Sequence, residues 1–201
     1  MANRIAILLA FTSLCCSDTT SSTDLSQANQ DTHDTAPESD STNQSSEYQL
    51  MDNNLWQAVD PSEDPFWPQD STEVVVCPPD AYLSEDTGDG IWFSVTTRDC
   101  NYLTVTQPIL ADLPAGATVQ VRVWHFTITS GPGSYHHLIA GGDPVKTVWD
   151  VTLEVPTDSG GLLPYEPFES TVSIEKGEPL FWHLSNHGSN SWHLIELKAT
   201  Y

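Results

Sequence analysis

Basic residues are scarce in this sequence: its 201 residues include 6 lysines and arginines against 28 aspartates and glutamates, which gives a formal net charge of −22. The imbalance extends over the whole chain, because residues 1–52 hold one arginine and eight acids and residues 53–201 hold five basic residues and twenty acids. A surface this acidic repels phosphate backbones and anionic lipid head groups. The composition therefore excludes nucleic acid and direct electrostatic binding to membranes, and leaves cations, neutral glycans and basic proteins as partners.

Common catalytic and copper-binding motifs are also missing. The sequence contains no G-x-S-x-G, H-E-x-x-H or Walker motif. A blue-copper centre needs a Cys ligand and usually an axial Met, but no Cys follows Cys100 and the only methionines are Met1 and Met51. A cupin-like site is disfavoured because the adjacent His136 and His137 would point to opposite faces of a strand. We therefore favour a protein that is not an enzyme, with a carboxylate-pair hydrolase as an open alternative.

The amino-terminal segment, residues 1–16, has the pattern of an export signal. It begins MANRIAILLAFTSL, with one arginine, no acid and an apolar run too short to span a bilayer as a mature helix. Cys15 and Cys16 follow directly, and a cysteine after a short signal resembles the bacterial lipoprotein pattern, in which that cysteine carries the lipid. Cys16 fits this pattern better, because a small residue precedes it. The resemblance implies an exported protein, attached to the cell envelope only through a lipid on Cys16. A signal that is cleaved without lipidation is the alternative.

The next segment, residues 17–54, consists mainly of Ser, Thr, Asp, Gln and Asn and has almost no large apolar side chains. Such a segment cannot bury enough apolar surface to offset the entropy lost on ordering, so we predict a disordered acidic tether. Residues 55–201 are left as one domain of ordinary size.

The predicted domain has the pattern of an all-β protein. Eight or nine short segments rich in Val, Ile, Thr and aromatic residues alternate with Gly- and Pro-containing turn signals, and no helical periodicity exceeds two turns. This pattern predicts an antiparallel β-sandwich. The segment 55–69 is rich in proline but carries Trp56, Phe66 and Trp67, so we predict an irregular lead-in whose aromatic rings pack on the sandwich.

Residues 77–201 also carry two structural motifs: PAGATV before a long strand, and a closing hairpin that runs from KGEPL to NHGSNSW. With these motifs the segment resembles the jelly-roll or galactose-binding-like β-sandwiches of exported bacterial lipoproteins. The resemblance implies a jelly-roll-like sandwich in which loops at one end, with exposed tryptophans or tyrosines, hold glycans. It therefore implies a non-catalytic, surface-tethered binding module for a glycan or a protein ligand.

Cys77 and Cys100 are the two cysteines of the predicted domain. Export places them in an oxidising compartment, where such a pair forms a disulfide. The sequence thus predicts a Cys77–Cys100 disulfide, and two buried thiols are the alternative.

Three Trp-His pairs suggest a second function. The alternation of side chains along the strands predicts that His125 points inward. It also predicts that His193 points inward, together with Ile195 and Leu197. The orientation of His183 stays open, because both faces of its strand are apolar. Inward imidazoles on neighbouring strands can converge on one ion. The second hypothesis is therefore an exported protein that binds a divalent metal through His125, His183 and His193. The alternative is that each is a buried, hydrogen-bonded core residue. No other cofactor is predicted.

Overall fold

A computed structural model of the chain describes residues 45–68, 72–129, 135–153, 156, 163–164, 166–186 and 188–201. The predicted signal segment, Cys16 and most of the predicted tether lie outside these residues. Within the described ranges, no helix is long and apolar enough to cross a membrane.

The described part of the chain forms twelve β-strands. In chain order they are β1 (Glu47–Gln49), β2 (Gln57–Ala58), β3 (Tyr82–Asp86), β4 (Ile91–Thr96), β5 (Tyr102–Pro108), β6 (Thr118–His125), β7 (Tyr135–Gly141), β8 (Lys146–Leu153), β9 (Leu163–Pro164), β10 (Phe168–Glu169), β11 (Pro179–Ser185) and β12 (Ser191–Thr200). Four of them, β1, β2, β9 and β10, are only two or three residues long. The remaining eight match the predicted number of strands.

The strands form two antiparallel sheets. Sheet A has the order β10-β6-β12-β4-β3, with β1 also paired to β12 and β9 paired to β6. Sheet B has the order β2-β5-β11-β7-β8. Every pair of named strands is antiparallel. Apolar side chains from both sheets build one core between them. The all-β, antiparallel β-sandwich predicted from the sequence is therefore confirmed. The predicted closing hairpin is wrong, because β11 lies in sheet B and β12 in sheet A, so these consecutive strands do not pair.

Strand β6 shows how the sequence specifies this arrangement. Val119, Val121 and Val123 are buried, while Gln120 and Arg122, which lie between them, are only partly buried. Successive side chains in a strand point to opposite faces, so the valines face the core and the other set faces outward. In β11 the core-facing residues Leu180, Trp182 and Leu184 also alternate along the strand, although His183 on the other face is buried as well.

The folded domain begins before residue 55, which corrects the predicted end of the tether. Strand β1 pairs with the last strand, β12, and Leu50 and Met51 are buried in the core. These two apolar residues stand between polar ones in the sequence, and so short an apolar pair gave no periodic signal.

Asn53 joins this early segment to sheet A. Strand β12 has a β-bulge just after Leu194. A bulge locally disrupts the ladder of backbone hydrogen bonds. The Asn53 side-chain amide donates to the carbonyls of Ile91, Leu194 and Ile195 at 2.8, 3.1 and 3.0 Å, and its oxygen accepts from Trp56 Nε1 at 3.0 Å. The asparagine thus satisfies backbone groups at the bulge.

Candidate functional site

The three histidines predicted to share a metal lie on three different surfaces of the sandwich. His125 is buried between the sheets, whereas His193 lies on the outer face of sheet A and His183 on the outer face of sheet B. The predicted inward orientation of His193 is wrong, because the bulge changes the alternation of β12, so that Trp192 and Leu194 face the core. Among the described residues, no group of three or more His, Cys, Asp or Glu is placed to hold a metal ion. The structure does not support the metal hypothesis.

His125 and His137 are core histidines. The His137 ring lies 4.4 Å from the Trp192 ring and 6.0 Å from the Trp182 ring, and the His125 ring lies 4.8 Å from Trp192. His125 Nδ1 is bonded to the carbonyl of Phe126 at 2.8 Å. Burial, and to a lesser degree the neighbouring histidines, lowers the pKa of His137 to about 3. His137 is therefore neutral under ordinary conditions.

On the outer face of sheet A, the His193 ring packs between Trp92 and Trp124, with centroid distances of 5.7 and 4.7 Å. Its Nδ1 is bonded to Ser94 Oγ at 2.6 Å and lies 3.4 Å from a carboxylate oxygen of Glu85. Burial lowers the pKa of His193, and the carboxylate of Glu85 partly offsets this. Because Ser94 and Glu85 meet the same ring nitrogen, this trio lacks the geometry that activates a serine nucleophile.

The outer face of sheet B carries a cleft of about 270 Å³. Its floor comes from three neighbouring strands: Ser185 of β11 lies directly opposite Tyr102 of β5 on one side and His136 of β7 on the other. His183 lies two residues before Ser185 in β11, so the side chains of His183 and Ser185 point to the same face of sheet B. The lining residues are Phe66, Pro68, Glu73, Val74, Asn101, Tyr102, His136, His183 and Ser185.

One wall of the cleft is the predicted aromatic lead-in. The Phe66 ring lies 5.4 Å from the His183 ring and 5.9 Å from the Phe181 ring, and Trp67 packs edge-on against Tyr102 at 5.2 Å. The aromatic residues of this segment therefore pack on the sandwich, as predicted, and Trp56 enters its core.

Asp64 fixes that wall to the floor. One carboxylate oxygen of Asp64 accepts a hydrogen bond from the Tyr102 hydroxyl at 2.9 Å, and the other accepts from the backbone N–H of Phe66 at 2.8 Å. Burial, together with the bond to Asp64, raises the pKa of Tyr102. The tyrosine therefore keeps its proton and holds the lead-in in place.

A second wall of the cleft is held by Asn101 and the disulfide. The Asn101 side chain accepts from the Val75 N–H at 2.7 Å and donates to the Glu73 carbonyl at 2.8 Å. The predicted disulfide, Cys77–Cys100, is confirmed and joins the same two segments. Both walls are thus fixed by specific bonds.

The histidines of the floor are held by hydrogen bonds within the protein. His183 Nδ1 is bonded to the Thr104 hydroxyl at 2.9 Å, and burial lowers the pKa of His183 to about 4, although the nearby Asp64 opposes this effect. His136 Nε2 is bonded to a carboxylate oxygen of Asp150 at 2.6 Å. At neutral pH, His183 therefore offers a hydrogen-bonding imidazole without a charge.

The sequence pointed to His183 and Phe66 as candidate residues but not to the other members of the cleft. In the sequence, His136 stands out only through its adjacency to His137, and Tyr102 has no distinguishing signal. The acid in the proline-rich segment, Asp64, gave no signal that it would bond a tyrosine 38 residues later. Such partners are set by strand pairing across the sheet.

Comparisons with known proteins find only distant similarity to solved structures. No known family matches the chain, and no curated protein matches it. Among solved structures, it is similar to TmCBM61 in complex with β-1,4-galactotriose (11% identity, 77% of this chain and 98% of that one, TM-score 0.41). It is also similar to the family 11 carbohydrate-binding module from Clostridium thermocellum in complex with a β-1,3-1,4-mixed-linked tetrasaccharide (12% identity, 76% of this chain and 94% of that one, TM-score 0.38). A third similar structure is the K3 cleaved adhesin domain of Lys-gingipain from Porphyromonas gingivalis (13% identity, 75% of this chain and 95% of that one, TM-score 0.40). Because the three TM-scores lie below 0.5, this likeness carries no conclusion about the present chain.

Proposed function

We propose that this protein is a non-catalytic binding module that holds part of a glycan in the cleft on the outer face of sheet B. One observation carries the proposal: the aromatic ring of Phe66 lies beside a floor of imidazole and hydroxyl groups from His136, His183 and Ser185. Binding sites of small polar molecules combine apolar walls with a few placed polar groups in this way.

The chemistry of the cleft suits a sugar unit. A sugar ring presents C–H groups on its faces, which pack against an aromatic ring, and hydroxyl groups around its rim. Hydroxyls both donate and accept hydrogen bonds, and so do a neutral imidazole and a serine hydroxyl. The volume of about 270 Å³ lies near the lower end for ligand pockets, so the cleft suits a short stretch of a glycan or its end.

The cleft is also rigid, which favours binding. Its floor is three paired strands, one wall is held by Asp64 and the other by Asn101 beside the disulfide. Side chains that are already fixed lose little entropy when a ligand binds.

Hydrogen bonds within the protein favour binding over hydrolysis. The Asp64 carboxylate is bonded to Tyr102, and the Asp150 carboxylate is bonded to His136. A glycosidase needs two carboxyl groups free to act on opposite sides of the glycosidic bond. These two acids instead hold the wall and the floor in place.

We also propose that the domain works outside the cytoplasm, attached through a lipid on Cys16 and spaced from the envelope by the polar segment. The signal-like residues 1–16 and the disulfide support this proposal. Mass spectrometry of the mature amino terminus tests it: a lipid-modified Cys16 is expected, and an unmodified terminus beyond residue 16 would remove the anchor.

Substitution of Phe66 tests the glycan site. We expect Phe66→Ala to weaken binding of whichever oligosaccharide the wild-type protein selects on a glycan array about tenfold, because a stacking ring contributes on the order of 1 kcal/mol. Phe126→Ala is the matched control, since Phe126 is 55% exposed and follows β6 in sheet A. Titration calorimetry measures both variants.

The control also locates the site. If Phe126→Ala weakens binding and Phe66→Ala does not, the glycan lies on sheet A beside Trp124, and the cleft is not the site. If the wild-type protein binds no glycan on the array, the proposed function is refuted.

A further inference from the structure

We propose that His183 selects the ligand of the cleft, because its ring nitrogen Nε2 accepts a hydrogen bond and therefore requires a hydroxyl that donates one. This inference rests on the proposed function, and it names the chemical group that the bound sugar must present at this point. It follows from a hydrogen-bond network of four residues: Asp64, Tyr102, Thr104 and His183.

The network begins at the carboxylate of Asp64. A carboxylate only accepts hydrogen bonds, so the hydroxyl of Tyr102 donates its single proton to Asp64 at 2.9 Å. The oxygen of Tyr102 can then act only as an acceptor toward its other neighbours.

Thr104 is the next member, two residues after Tyr102 on the same face of β5. Burial and the bond to Asp64 raise the pKa of Tyr102, whereas a hydrogen bond with Thr104 lowers it. A bond that lowers the pKa of a phenol is donated to the phenol oxygen, because it stabilises the charged form. The hydroxyl of Thr104 therefore donates its one proton to Tyr102.

His183 is the last member, directly opposite Thr104 on the neighbouring strand β11. Its Nδ1 is bonded to the Thr104 hydroxyl at 2.9 Å. Since the proton of that hydroxyl points to Tyr102, Nδ1 supplies the proton of this bond. Burial lowers the pKa of His183 to about 4, so at neutral pH the ring holds one proton. Nε2 therefore carries a lone pair and no proton.

The unprotonated nitrogen belongs to the cleft. His183 is only 5% exposed, yet its ring lines the cleft. Nε2 has no hydrogen-bond partner among the described residues, and the protein does not enclose it. A ligand that expels water from this nitrogen without donating to it leaves a buried acceptor unpaired, which costs binding free energy. The cleft thus favours a hydroxyl over a group that only accepts.

Nitrogen-15 NMR of the full chain at pH 7 tests the position of the proton, because it distinguishes a protonated from an unprotonated ring nitrogen. We expect the proton of His183 on Nδ1 in the wild type. Thr104→Val should move it to Nε2, since Nδ1 loses its acceptor. Tyr102→Phe should do the same, since the Thr104 hydroxyl is then free to donate to Nδ1. A merely structural role of Tyr102 and Thr104 would not move this proton.

Thr106→Val is the matched control. Thr106 lies two residues beyond Thr104 on the same face of β5, but its hydroxyl is bonded to the Leu180 carbonyl at 3.1 Å. The proton of His183 should stay on Nδ1 in this variant. A wild-type proton on Nε2, or the same shift in Thr106→Val as in Thr104→Val, would overturn the inference.

Ligand selection is tested with glucose, galactose and mannose and with their monodeoxyfluoro derivatives, in which fluorine replaces one hydroxyl and cannot donate. NMR titration at millimolar concentration measures binding to each protein. For a sugar that binds, one fluorinated derivative should bind the wild type about tenfold more weakly than the parent sugar, because Nε2 is left unpaired. In Thr104→Val the difference should shrink to about threefold or less, because Nε2 then carries a proton and requires no donor.

The outcomes separate this inference from the proposed function. If no sugar shifts the Nε2 signal, or every fluorinated derivative binds the wild type as tightly as its parent, the acceptor role of His183 is overturned, and the effect of Phe66→Ala still decides the glycan site. If the proton lies on Nδ1 but neither these sugars nor the glycan array yields a ligand, the proposed function fails, and the selection of a ligand by His183 fails with it.

Discussion

Mild acid should destabilise this domain at a pH where most of its carboxylates are still ionised. The reason lies in two buried histidines, His137 in the core and His183 in the floor of the cleft, which are 1% and 5% exposed. Burial lowers their pKa values to about 3 and about 4 from an ordinary value of 6.5. Between these limits, the unfolded chain binds protons that the folded domain does not.

The direction and size of the effect follow from proton linkage. Stability is complete above about pH 7 and falls as the pH drops below 6.5, where the unfolded histidines become protonated. Each of the two histidines should cost about 2 kcal/mol between pH 8 and pH 5, so the pair costs about 4 kcal/mol. Since a domain is stable by only about 5–15 kcal/mol, this is a large part of the total.

His137→Phe isolates one half of this effect. Neither ring nitrogen of His137 has a hydrogen-bond partner among the described residues, and the ring packs near Trp182 and Trp192. A phenylalanine keeps the ring but cannot be protonated, so its loss of stability between pH 8 and pH 5 should be about 2 kcal/mol smaller than that of the wild type. Urea unfolding followed by tryptophan fluorescence measures both proteins at each pH.

The carboxylates contribute the same pH dependence of stability to both proteins, so their contribution cancels in the difference between wild type and variant. Parallel curves of unfolding free energy against pH for the wild type and His137→Phe would refute the reasoning. Direct titration of His137 by NMR gives a second check: a pKa near 6.5 in the folded domain would have the same consequence.

Two further predictions concern stability. Asn53→Ala should lower the unfolding free energy by about 2–3 kcal/mol, because it leaves the carbonyls at the β12 bulge and the Trp56 N–H without their partner. Asn54→Ala, at the exposed neighbouring residue, is the control and should change the unfolding free energy by less than about 0.5 kcal/mol. Equal losses in the two variants would contradict this role of Asn53. Replacing Cys77 and Cys100 together by alanine should cost about 3 kcal/mol, given their separation of 23 residues. An unchanged urea midpoint would show that the disulfide adds no stability.

Alternation predicted the straight strands correctly. In β6, the order of valines and polar residues placed Val121 and His125 in the core, and the structure has both there. Alternation failed in β12, because the bulge after Leu194 reverses which side chains face inward. Asn53, from a distant segment, bonds the backbone carbonyls at this bulge, and the pattern of β12 alone does not reveal such a contact.

Element boundaries were less accurate where contacts outside the local segment decide them. Strand β3, with the sequence YLSED, was not predicted, because acidic residues are uncommon in strands. Residues 73–77 (EVVVC) and 170–174 (STVSI) have the composition of strands, but each contributes only an isolated bridge. Whether a segment pairs at the edge of a sheet depends on the neighbouring strands, and the sequence of the segment itself does not specify them.

The sequence by itself determined the acidic surface, the all-β class, the disulfide and the aromatic character of the lead-in, because each depends on composition or on short-range alternation. Only the tertiary structure decided that His125, His183 and His193 lie apart. It alone placed Asp64 on Tyr102 and Ser185 beside His136. These partners come from distant parts of the chain, and the pairing of strands that brings them together depends on the packing of the whole sandwich.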